Sequence, residues 1–301
     1  MNARKGISYS LRYVQRSLQS SSCKNSLLGD RRLSMSHTCQ TQTQTAAEPL
    51  TIATQEKGIR TICLNDPRKR NALSLAMLQS LHSDLIRDQD SLRVIIIKAK
   101  GPVFSAGHDL KELTKETGSG YHEEVFSTCT NVMDLIQDLP VPVIAQVNGL
   151  ATAAGCQLVA TCDIAVASTG SHFATPGVSV GLFCTTPGVA VGRSLPKKVA
   201  LEMLFTGRPI SAQDALLHGL VSKVVPEDQV EEETLKIAER ICETSKSVVA
   251  LGKAAFYSQM ALERKHAYRF AEKIMVQNLQ LNDAQEGIQA FIHKRKPEWT
   301  Q

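Results

Sequence analysis

The chain has 301 residues, 43% hydrophobic and 21% charged, the balance of a globular protein able to bury a sizeable core. No apolar run reaches the roughly 20 residues that a membrane-spanning helix needs, and even the run from Val94 to Ile97 is closed off by Lys98 and Lys100. The formal charge of +5 resolves into +6 on residues 1–40, from Arg4, Lys5, Arg12, Arg16, Lys24, Arg31 and Arg32 against Asp30, which leaves −1 on the rest, so it speaks for no nucleic-acid partner.

The basic segment is rich in Ser and Arg and has no acid before Asp30. Leu11, Tyr13, Val14 and Leu18 are spaced so that a helix would be amphipathic, and no apolar secretory core is present. These are marks of a mitochondrial transit peptide. The polar Thr/Gln-rich stretch from Thr41 to Pro49 reads as a linker, with cleavage between Arg31 and Thr45, so residues 1–45 are assigned to leader and linker.

From residue 58, short β-branched runs alternate with helical stretches, the pattern of an α/β fold. Strands are predicted from Ile59 to Leu64, Val94 to Lys98, Val143 to Asn148, Asp163 to Ala167 and Leu220 to Val225. Between them, Ser74 to Asp88 places Leu75, Met77, Leu78, Leu81 and Leu85 on one helical face. Tyr121 to Asp138 does the same with Val125, Cys129, Val132, Met133 and Ile136. The spacing places a core over residues 46–240 and a helical appendage over 241–301, with helices from Glu227 to Lys294 interrupted only at Gly252 and Gly287. Such an appendage suits oligomerisation.

The eight cysteines contain no C-x-x-C pair and no His/Cys spacing suited to zinc, so no metal is expected. Dinucleotide-binding, phosphate-loop and nucleophile-elbow motifs are absent, which weakens dehydrogenase, ATPase and serine hydrolase readings. Two loops break from ordinary core sequence: F-S-A-G-H-D-L-K-E-L, Phe104 to Leu113, and V-N-G-L-A-T-A-A-G-C-Q-L, Val147 to Leu158. Their small residues let backbone approach a ligand, and the first N–H groups of the helix that begins near Ala153 lack internal partners and can face an anion.

Together with R-N-A-L at Arg70 to Leu73, C-D-I-A-V-A-S at Cys162 to Ser168, F-A-T-P-G-V at Phe173 to Val178 and Q-E-G-I-Q-A-F-I-H-K-R-K-P at Gln285 to Pro297, these loops resemble the enoyl-CoA hydratase/isomerase (crotonase) family. The resemblance implies a crotonase (ClpP-like) spiral of strand-strand-helix turns, a C-terminal helical region that builds a homotrimer or dimer of trimers, and a CoA thioester as substrate. No cofactor is implied beyond that CoA. The family's oxyanion-hole amides fall, in this reading, on Ala106 and Ala154. CoA and substrate contacts fall on Arg70, Asn71, Ala72, Gly107 and Asp109, with Phe291 and Lys294 approaching the CoA of a neighbouring subunit.

Hydratases of this family use two glutamates, and the matching positions here are Gln157 and Gly177. Neither side chain can trade a proton as a carboxyl group does, and one positioned acid or base is worth about 10²- to 10⁴-fold. Hydration is therefore expected to be weak or absent. His108, beside the expected carbonyl site, is the substitute base considered, while Cys184 lacks a neighbouring base and reads as packing. Base-free chemistry such as decarboxylation of a malonyl-type thioester, hydrolysis through His108, non-catalytic acyl-CoA binding and residual hydro-lyase activity are the alternatives left open. Matrix localisation follows from the leader.

Overall fold

The computed structural model describes residues 48–300. The predicted leader over 1–45 lies outside the described residues. Strand β1 (Thr51–Glu56) pairs antiparallel with β2 (Ile59–Leu64), whose side chains alternate in burial as a period of two requires. From β2 the large sheet continues in parallel through β3 (Val94–Ala99), β5 (Val143–Val147), β7 (Ile164–Ser168) and β10 (Lys223–Val225). A second, smaller sheet holds β4 (Val103–Ser105), β6 (Leu150–Thr152), β8 (His172–Ala174) and the antiparallel β9 (Ile210–Ser211).

Helices α1 (Leu75–Ile86), α2 (Ser119–Asp138), α3 (Ala154–Thr161) and α4 (Thr185–Ser194) complete the spiral. Each turn gives one strand to the large sheet, one to the small sheet, then a helix: β3-β4-α2, β5-β6-α3, β7-β8-α4. The core lies between the large sheet and these helices. Ile95 and Ile97, Val143 and Ala145, and Ala165 and Ala167 face the predicted apolar stripes of α1 and α2. The alternate residues Val94, Ile96, Ile144 and Val166 face Val230 and Ala238 of α7 (Val230–Cys242), which covers the other side of the sheet. That double burial is why Val94 to Ile97 of β3 and Val143 to Ala145 of β5 read as continuous apolar runs. Helices α5 (Lys197–Thr206) and α6 (Ala212–His218) precede β10.

Helices α8 (Lys246–Met260), α9 (Arg264–Asn278) and α10 (Asn282–Ile292) form the C-terminal region. Gly252 and Gly287 interrupt nothing: both lie inside helices, and a Cβ on Gly287 would meet only the Trp299 ring, at 3.3 Å. The breaks come instead at residues 243–245, 261–263 and 279–281. Ser245 accepts the Val248 N–H at 3.2 Å, and the Glu263 carboxylate accepts the Lys265 N–H at 3.0 Å, satisfying free donors at two helix starts. Among the described residues no helix is long and apolar enough to cross a membrane.

Candidate functional site

The turn at residues 66–72 and the loop after β4 face one another through backbone. Asn71, fully buried with φ at +50°, uses its whole side chain: its Oδ1 accepts the Asp66 N–H, and its Nδ2 donates to the Lys100 and Val103 carbonyls at 2.9 and 2.8 Å. The turn is thereby fixed on β4. Leu73 N–H donates to the Gly107 carbonyl at 2.8 Å, and Ser105 Oγ donates to the Asn71 carbonyl at 2.8 Å. Between turn and loop opens a cavity of about 320 Å³ lined by Arg68, Lys69, Arg70, Ala72, Ala106, His108, Asp109, Leu110 and Lys111. Four cations thus stand around a cleft with one carboxylate, Asp109, which lies 3.3 Å from Lys69 Nζ and accepts the Lys111 N–H.

The second loop meets the first through glycines that leave no space for a side chain. A Cβ on Gly107, whose φ is +84°, would stand 2.8 Å from Ala153 Cβ and 3.1 Å from Ala154 N. One on Gly155 would stand 2.5 Å from the Ser105 carbonyl oxygen. Ala153 takes φ +48° and ψ −119° immediately before α3, a strained geometry for a residue with a Cβ, of the kind that gathers at functional sites. No side chain caps α3, so its first amide, Ala154 N–H, is without an internal partner.

The geometry corrects one expected donor. Ala106 N–H is taken by the Arg70 carbonyl at 3.0 Å, because the turn presents that oxygen to the end of β4. Two residues on, the His108 N–H has no acceptor among the described residues, and it follows the glycine on which an added Cβ would stand 3.1 Å from Ala154 N. His108 and Ala154, rather than Ala106 and Ala154, hold the free amides. Reading the motif alone gave no means of telling alternate amides of one loop apart.

The His108 ring is also placed closely. Its Nδ1 lies 3.0 Å from the Leu73 carbonyl, an atom that only accepts, so the neutral ring carries its proton there. Burial lowers its pKa, opposed by the Leu73 carbonyl and by Glu112. Its Nε2 is buried and has no partner. Phe126 holds the ring edge-on with centroids 5.1 Å apart.

Gln157 is 5% exposed, with Oε1 buried and unpartnered, three residues after Ala154 and so on the same helical face. At Gly177 the loop is closed against residues 182–184: its N–H donates to Cys184 Sγ at 3.3 Å, and a Cβ there would stand 2.5 Å from the Leu182 carbonyl oxygen and 2.8 Å from that sulfur. Burial raises the Cys184 thiol and pushes Cys156, beside it, up to about 12, so neither is an activated nucleophile. Asn71, Gly107, Ala154, Gln157 and Gly177 lie outside the cleft lining. Phe291, 86% exposed, and Lys294 are at the end of α10, also outside it.

The spiral and this pair of loops define the class. The chain belongs to the enoyl-CoA hydratase/isomerase family, whose model matches residues 54–301. It is 66% identical over 254 residues to the mitochondrial enoyl-CoA hydratase domain-containing protein 3 of Xenopus laevis, covering 84% of this chain and 86% of that one. The crystal structure of human enoyl-CoA hydratase domain-containing protein 3 superposes with a TM-score of 0.82 at 65% identity, covering 83% of this chain and all of that one. The crystal structure of an enoyl-CoA hydratase from Mycobacterium smegmatis gives 0.81 at 46% identity, over 84% and 99% of the two chains.

Proposed function

We propose that the chain binds an acyl-CoA thioester with its phosphates on the cationic rim of the cleft and its carbonyl oxygen between the His108 and Ala154 amides, and that it does not hydrate enoyl-CoA efficiently. Arg68, Lys69, Arg70 and Lys111 supply charge for the phosphates of CoA. Two preorganised N–H groups stabilise the oxyanion of an enolate, and one such donor is worth about 3 kcal/mol in a transition state. The observation that supports the second half is the pair of positions where hydratases carry glutamates: a glutamine with an unpartnered oxygen at 157, and at 177 a glycine with no room for a side chain.

The leader, and relatives named as mitochondrial, support import and action in the matrix. The apolar surface of α8–α10 supports assembly into a homotrimer, in which Phe291 and Lys294 reach a neighbour's CoA. Because neither family carboxylate is present, stoichiometric binding without turnover is the second reading, in which the chain buffers or delivers a thioester.

The test is mass spectrometry of an acyl-CoA panel, enoyl, saturated and malonyl-type, incubated with the purified protein and with Ala154→Pro. Proline suits the first helical position and removes that N–H, and a melting curve verifies that the variant folds despite the added ring at a buried position after the strained Ala153. Product formation that falls by roughly 10²-fold or more in the variant supports catalysis through the hole. Esters retained unchanged support the binder. Failure to retain any ester overturns both.

A further inference from the structure

The candidate proton acceptors of the cleft and of the loops beside it differ in what already occupies them. Asp109 faces Lys69 and accepts the Lys111 N–H. Glu112 accepts the Leu75 N–H at 2.9 Å at the start of α1. Gln157 has no basic group, and the Cys184 sulfur accepts the Gly177 N–H. His108 alone among the cleft-lining residues holds a buried basic nitrogen with no partner: Nδ1–H is fixed on the Leu73 carbonyl, Phe126 packs edge-on against the ring, and Nε2 keeps an unused lone pair. The amide assigned above to the thioester oxygen belongs to this same residue, so ring and carbonyl meet at one Cα.

We propose that the His108 imidazole is the proton acceptor of this site, taking a proton from the α-carbon of a bound CoA thioester that carries α-hydrogens. The inference rests on the acyl-CoA reading given above. The α-C–H bond breaks, its proton goes to Nε2, its electron pair forms the carbon–carbon double bond of an enolate, and the carbonyl π pair moves onto the oxygen held by the His108 and Ala154 amides. Glu112 is the one carboxylate whose field favours the imidazolium. Reversal returns a proton to the α-carbon, so no co-reactant is required. The ring is neutral, and therefore ready to accept, at neutral pH, because burial depresses its basicity.

The experiment is incubation of the full chain with butyryl-CoA in heavy water, with the mass of the ester read over time and binding measured by calorimetry on the same preparation. Deuterium is expected at the α-carbon, at a rate that falls as pH drops through the depressed imidazole range. His108→Asn, whose amide can still donate to Leu73 and whose backbone N–H remains, is expected to exchange at least about 100-fold more slowly per bound ester. His108→Gln serves if a melting curve shows the first variant unfolded. Bound ester without deuterium, exchange that is flat with pH, or a folded variant exchanging at the parent rate overturns the assignment of His108. Absence of binding at millimolar butyryl-CoA overturns the acyl-CoA reading itself, and this inference with it.

Discussion

A Cβ on Gly177 would press on the Leu182 carbonyl and the Cys184 sulfur, so the second hydratase carboxylate is excluded by volume as well as by sequence. Restoring it is expected to fail: Gln157→Glu with Gly177→Glu should melt lower than the parent and gain no hydration of crotonyl-CoA, as differential scanning calorimetry and an absorbance assay would show. His108 adds a pH dependence to stability. Its folded pKa lies below the ordinary value of 6.5, so the unfolded chain binds the proton more readily. Its contribution is complete above 6.5 and is lost as pH falls below that value toward the folded pKa. Urea unfolding at pH 7.5 and pH about 5.5 should show that loss, reduced in His108→Asn. Gln157 and Gly177 were legible in the sequence because a missing acid is visible in one letter. The choice between the Ala106 and His108 amides was not, since it depends on where the Arg70 carbonyl points.

Among the elements, α8 is held to the spiral by a nearly buried ion pair. Lys253 Nζ donates to Asp163 Oδ2 at 2.7 Å and to the Ile136 and Val141 carbonyls at 2.7 and 2.9 Å, while Tyr257 OH donates to Asp163 Oδ1 at 2.7 Å. Asp163 also accepts the Val143 N–H, which ties the start of β5 to the residue before β7. Burial lowers the Lys253 pKa against the raising pull of Asp163. Removing one partner of such a pair strands the other, so Lys253→Met should destabilise the chain by about 3 to 5 kcal/mol in denaturant unfolding. The long amphipathic helices and the buried strands were readable from periodicity. β4, β6 and β8 were not, because three residues show too little alternation to read, and β10 starts only at Lys223, three residues after its predicted start at Leu220. The helix breaks were missed because glycine was weighted over the capping Ser245 and Glu263.

For the whole molecule, the C-terminal helices leave a surface unsuited to water. No apolar residue of α8 or α9 is fully buried, and Phe256, Met260, Tyr268, Met275, Val276, Phe291 and Ile292 are each more than half exposed. Apolar area on this scale marks an interface. Under the proposed homotrimer or dimer of trimers, sedimentation should give three or six times the chain mass, and Met275→Glu with Val276→Glu should shift it toward the monomer. The measurement that bears most directly on the central claim is native mass spectrometry of the protein with crotonyl-CoA, followed over an hour. The expected result is a complex carrying the ester at its original mass. Gain of the mass of one water at the rate of an efficient hydratase, or no complex at all, would contradict the account.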